Sequence, residues 1–111
     1  MKVVIILFLL SGCSSIDGNW SGKLGPVKSS LRLNDNGTGL FCYSHNKVNR
    51  VEKVDYDGSI IRTERGSELI INSVSDDRLS FEVDSDGVEE YEFKRDKHLK
   101  RTSWYCWKKL H

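Results

Sequence analysis

The 111-residue chain lacks any apolar run longer than eight residues, so it contains no stretch able to cross a bilayer as a helix. Its longest run, Val3 to Leu10, would cover about 12 Å as a helix against the roughly 30 Å of a hydrocarbon core. Charge of one sign is also missing. Seventeen basic residues face sixteen acidic ones, for a net charge of +1, which gives no general reason to expect nucleic acid or anionic lipid as a partner. There is no Gly-x-Ser-x-Gly. The nearest approach, Gly18-Asn19-Trp20-Ser21-Gly22, carries its serine one place late. His45, His98 and His111 are scattered, and no histidine or third cysteine lies near Cys42 or Cys106 to complete a metal-ligand pattern. The side chains of Glu89 and Glu90 point to opposite faces of a strand and do not work on one bond. These absences predict no catalytic residues, no metal and no cofactor.

What is present begins at the amino terminus. Met1-Lys2 supplies a positive start, Val3 to Leu10 an apolar core, and Ser11-Gly12 two small residues before Cys13. That order describes a secretory signal peptide. Leu10-Ser11-Gly12-Cys13 resembles the bacterial lipobox. The resemblance implies signal-peptidase recognition of Leu10, Ser11 and Gly12, cleavage before Cys13, and lipid on the Cys13 thiol, with two or three acyl chains such as palmitate. Several chains hold a protein on a membrane where one would not. Ser14, in the position after the lipidated cysteine, favours the outer membrane by the same resemblance. The expected organisation is therefore a signal peptide over 1–12, a lipidated tether over 13–15 and one domain over 16–111, facing either the periplasm or the cell surface.

Taking twelve residues from 111 leaves 99, enough for one small domain, and losing Lys2 brings its charge to zero. With Cys13 lipidated, Cys42 and Cys106 remain as an even pair in an oxidising compartment. That predicts a disulfide.

The domain reads as strands and turns. Val27, Ser29, Leu31 and Leu33 alternate with Lys28, Ser30, Arg32 and Asn34, and Asn34-Asp35-Asn36-Gly37 ends the run. Strands are expected over 16–24, 38–45, 48–56, 59–64, 68–74, 78–84 and 88–95 as well. Asp57-Gly58, Arg65-Gly66-Ser67, Ser75-Asp76-Asp77 and Asp86-Gly87 punctuate them. Asp55-x-Asp57-Gly58 and Asp84-x-Asp86-Gly87 fit turn chemistry better than calcium loops, which need a distal bidentate glutamate. About eight short strands with tight turns predict an all-β, antiparallel up-and-down meander or barrel.

Gly18-Asn19-Trp20 resembles the Gly-x-Trp start of lipocalin-type barrels. The resemblance implies that Trp20 plugs one end beneath a basic side chain, Arg95 or Arg101, and allows an apolar ligand inside. More broadly, Ile16-Asp17-Gly18, Trp20, residues 22–30 and Phe41-Cys42-Tyr43 resemble a family of short Gram-negative lipoproteins with no assigned activity. That implies a class and no mechanism.

Recognition points to the tail. Trp104, Tyr105 and Trp107 lie within four positions, among Lys100, Arg101, Lys108 and Lys109. Two readings stay open. One is a last strand with Trp104 and Cys106 on one face and Tyr105 and Trp107 on the other, packed and pinned by the disulfide. The other is an exposed aromatic patch for a partner. Charge is polarised too: Asp76 to Glu92 is acidic and Lys94 to Lys109 basic, which suits either pairing between strands or a basic edge for an acidic partner. The expected function is a non-catalytic envelope lipoprotein that binds an envelope protein or peptidoglycan. Small lipoproteins that inhibit lysozyme are similar in size and disulfide use, although their Ser-Gly-x-x-Tyr loop is missing here. A carrier of a small apolar ligand is the third reading.

Overall fold

A computed structural model describes residues 15–84 and 88–110. Cys13, the lipobox, the Asp86-Gly87 turn and His111 lie outside the described residues. Eight strands follow one another: β1 (Gly18–Leu24), β2 (Val27–Leu33), β3 (Thr38–His45), β4 (Val48–Tyr56), β5 (Ile60–Thr63), β6 (Glu68–Val74), β7 (Arg78–Asp84) and β8 (Val88–Arg95). Each pairs antiparallel with its neighbours, and β1 closes on β8 to complete an up-and-down barrel. The seam is short: Trp20 faces Arg95 and Ser21 faces Lys94. Closure removes the free edge that would otherwise template aggregation.

Alternation fills the barrel. Trp20, Leu31, Leu33, Phe41, Val54, Ile61, Leu69, Leu79, Phe81 and Phe93 form one buried cluster. Phe81 and Phe93 meet edge to face at 5.0 Å, an arrangement aromatic rings favour. Two glycines make room for this packing. A Cβ on Gly22 would sit 2.4 Å from the Phe93 ring, and one on Gly39 would sit 2.3 Å from the Arg32 carbonyl oxygen.

Two departures from strict alternation have physical causes. Leu69, Ile71 and Val74 all pack against the core, which a regular period of two forbids. The register slips between Ile71 and Ser73, and such a bulge returns Val74 to the inside. In β2 and β3, neighbouring residues are buried together: Ser30 with Leu31, and Phe41 with Cys42. Their outer faces are covered by the chain that follows β8.

That segment corrects the expected last strand. Trp104–Leu110 is a helix, α1. With β8 already paired to β1, no sheet edge remains for a ninth strand. The local sequence favours a helix instead. Ser103 sits at its N-cap, its Oγ accepting the Cys106 N–H at 3.2 Å, and Lys108 and Lys109 occupy the last turn, where the helix dipole favours cations. Cys106 and Leu110, four residues apart, share the buried face.

The barrel's closed end has the expected tryptophan plug, and Arg95 covers it. The guanidinium carbon lies 4.1 Å from the Trp20 ring centroid. Nη1 donates to the Asp17 carbonyl and Nη2 to that of Ser15, both at 2.8 Å, while Nε donates to the Asp76 carbonyl at 2.5 Å. The Trp20 Nε1 donates to Ile16 O at 2.8 Å. Gly18 adopts φ +121°, which strains any other residue, and a Cβ there would also stand 2.6 Å from Arg95 Nη1 and push the guanidinium aside.

Candidate functional site

The site is carried by the segment after β8, which crosses the outer face of β1 and β2 before entering α1. Its pivot is Asp96, buried at 8% exposure. The carboxylate accepts the backbone N–H groups of Lys100 and Arg101, both at 2.8 Å, and the Ser21 hydroxyl at 2.9 Å. Asn19 adds two bonds, its carbonyl accepting Asp96 N at 2.9 Å and its Nδ2 donating to Lys97 O at 3.0 Å. The Ser30 hydroxyl donates to Thr102, and Ser44 and Ser103 share a 2.9 Å bond. The serine of the near-miss nucleophile motif is thus a latch for this segment.

Burial pushes the Asp96 carboxyl up, but the N–H groups of Arg101 and Lys100, the Ser21 hydroxyl and the Arg101 charge outweigh it and hold the pKa below its usual 3.8. A carboxylate with a lower pKa folded than unfolded stabilises the fold above its unfolded value. That contribution fades as pH falls through the folded value. Asp57 behaves alike: N–H donors of Ser59 and Ile60 lower it to about 2. Melting temperature should therefore drop as pH is lowered from about 4 toward 2. Asp96→Asn should melt lower at pH 7 and lose less across that window, the Asp57 part remaining. Parallel slopes for the two proteins in thermal melts would contradict this account.

Helix α1 lies against β3 and β4. The Cys42–Cys106 disulfide, at 5.7 Å between Cα atoms, joins it to the outer face of β3. Leu99 and Leu110 are buried beside the bridge, with Leu40, Val51 and Tyr105 packed around them. The opposite face of the helix is aromatic and open. Trp104 is 68% exposed and Trp107 37% exposed. Their rings stack at 5.2 Å between centroids and 12° between planes, as residues three apart on a helix allow. Lys108 Nζ lies 5.5 Å from the Trp104 ring centroid, within cation–π range.

The structure thus regroups the expected surface. Trp104, Trp107 and Lys108 come together outside. Tyr105 instead turns toward β4, with Lys109 Nζ 5.7 Å from its ring. The expected pairing of Trp104 with Cys106 on one face is corrected by the helical period, since Cys106 is buried while Trp104 is exposed.

Other candidates resolve as structure. Asp57 caps its own turn through Ser59 N at 2.8 Å and Ile60 N at 3.0 Å. His45 bonds Asn46 at the end of β3, and His98 lies exposed in the crossing segment. Sequence reasoning passed over Glu52, a buried carboxylate that accepts the Tyr43 hydroxyl at 3.1 Å and the Arg65 N–H at 3.2 Å. Its inward position in the alternation of β4, between Arg50 and Val54, was the available signal. No family model, curated protein or solved structure matches this chain.

Proposed function

We propose that this chain is a non-catalytic envelope lipoprotein, lipid-anchored at Cys13, whose disulfide-stapled barrel binds an envelope or periplasmic partner through the outer face of α1. One observation carries the recognition part: two stacked tryptophans stand open to solvent on a helix pinned to a rigid barrel. Rigid, exposed aromatics are costly to leave in water and dominate binding energy where they are covered. The packed interior favours recognition on the outside over carriage of a ligand within. The anchor rests on Leu10-Ser11-Gly12-Cys13.

Cells producing the chain or its Trp104→Ala/Trp107→Ala variant should be cross-linked and the captured species identified. A specific partner recovered with the parent chain should fall at least tenfold with the variant, in line with about 2 kcal/mol for a hot-spot aromatic. Equal recovery would refute the surface. Labelling with a fatty-acid probe should be lost in Cys13→Ser, and an unlabelled parent chain would refute the anchor.

A further inference from the structure

A second surface lies on the outer wall of the barrel, where β8, β1 and β2 meet beneath the crossing segment. A groove of about 220 Å³ is lined there by Lys23, Lys28, Lys94 and Arg101, with Glu92 and Ser21. Its lining charge is +3. Lys23 and Lys28 are direct cross-strand partners, and Lys94 stands opposite Arg78 on the other side of β8. Like charges placed opposite each other in a sheet are destabilising; the Lys23–Lys28 pair lies wholly in the groove lining, and Lys94 brings one member of the second pair to it.

Little in the protein offsets them. Glu92 is shared with Arg78, at 3.5 Å. Asp96 lies beneath Arg101, but its oxygens already accept two backbone N–H groups and the Ser21 hydroxyl. Lys23, Lys28 and Lys94 form no ion pair among the described residues.

We propose that this groove binds a phosphate group. Lysine and arginine offer only donors, and a phosphoryl group has three acceptor oxygens and a charge of about −1.5 to −2 near neutral pH. A groove of this size is smaller than the ~300 Å³ at which pockets for drug-sized molecules begin. It fits a head group, with the remainder of the molecule outside. The wall around the groove is fixed, because the Ser21–Asp96 bond holds Arg101 over β1. The site shares no residue with the tryptophan face, so either one can fail without the other.

The test is a titration of the full chain in detergent with inorganic phosphate at constant ionic strength, chloride making up the balance. Backbone amide NMR follows binding, and thermal melts follow stability. Phosphate should shift resonances around Lys23, Lys28, Lys94 and Arg101 saturably and raise the melting temperature. Lys23→Gln/Lys28→Gln should weaken binding at least tenfold. It should also melt higher than the parent in phosphate-free buffer, where the like-charge pair is relieved, and lose the rise on adding phosphate. Lys47→Gln/Lys53→Gln, on exposed positions of the β3–β4 hairpin, should respond like the parent. Dihexanoyl phosphatidic acid and glucose 6-phosphate then distinguish a lipid head group from a soluble phosphosugar: the tighter binder identifies the source, and equal binding means the phosphate alone is read. Non-saturating shifts, or an undiminished phosphate effect in Lys23→Gln/Lys28→Gln, would overturn the proposal.

Discussion

Replacing both Cys42 and Cys106 with serine should lower stability by roughly 2–5 kcal/mol and release α1 from the barrel before the barrel itself opens. The bridge spans 64 positions, and on the chain-entropy account a loop of that length is worth about 4 kcal/mol. The helix has few other means of staying docked. It is seven residues long, and isolated helices shorter than ~12–15 residues are marginal in water. Beyond the bridge it has the contacts of Leu110 and Tyr105 with Leu40, Val51 and Leu99, the Ser44–Ser103 bond at its N-cap, and a bond from the Arg32 guanidinium to the Leu110 carbonyl. The barrel closes through its own ladder without α1. Urea denaturation followed by two probes should therefore split: tryptophan emission should begin to change as Trp104 and Trp107 leave the barrel wall, before far-ultraviolet circular dichroism reports loss of the strands. Reducing the parent chain should produce the same split, which separates loss of the bridge from burial of two serine hydroxyls. Coincident transitions at the parent midpoint would show that the staple is dispensable. On the proposed function, the same substitution should reduce partner recovery as severely as removing the two tryptophans, because it unseats their platform.

The strands were legible because each carried two signals at once, alternation within and a turn former at the end. Where both agreed, as in Arg78–Asp84 and Val88–Arg95, the boundaries match. Where a side chain intervened, they moved. Asp57 captures the N–H groups of Ser59 and Ile60, so β5 starts at Ile60, one residue later than the alternation suggests. The positive φ of Gly18 keeps Ile16 and Asp17 out of β1. The bulge at β6 left no mark that a period-two reading would catch.

The tail shows why the site was harder to read than its scaffold. Its residues stood out by composition, yet a four-residue aromatic cluster fits a strand or a helix equally well. The deciding facts are non-local: β8 is already paired with β1, and Asp96 folds the chain back over β1 through a bond to Ser21, 75 positions away. Only then does Ser103 serve as an N-cap, placing Cys106 inward and both tryptophans outward. The basic groove has the same origin. Lys23 and Lys28 are near neighbours in sequence, but Lys94 joins them by barrel closure and Arg101 by the crossing segment.

The closed end should be the other point of greatest sensitivity. Trp20→Ala is expected to cost about 3–5 kcal/mol, the range for emptying a buried aromatic site, because Trp20 is fully buried and sits on the seam. That seam has only two register pairs, Trp20 with Arg95 and Ser21 with Lys94. Side chains bridging it therefore matter more than elsewhere. Arg95 bridges it twice, taking the carbonyls of Ser15 and Asp17 ahead of β1, while a third bond ties it to the Asp76 carbonyl between β6 and β7 and its guanidinium lies over the Trp20 ring. Arg95→Ala should cost about 2–3 kcal/mol, since hydrogen bonds to a charged group are worth ~1.5–3 each and the freed carbonyls regain water only in part. Arg95→Lys should recover less than half, because an ammonium cannot span three acceptors in a plane and stack at once. Arg101, the other basic residue expected for this role, is exposed in the crossing segment, and Arg101→Ala should cost at most about 1 kcal/mol. Urea midpoints for the four variants rank the effects. If Arg95→Ala and Arg101→Ala shift the midpoint equally, the arginine is not the lock on the seam. If the cost of Arg95→Ala is unchanged in a Trp20→Leu background, which has no aromatic face, the stacking contact contributes nothing and the carbonyl bonds carry the closure alone.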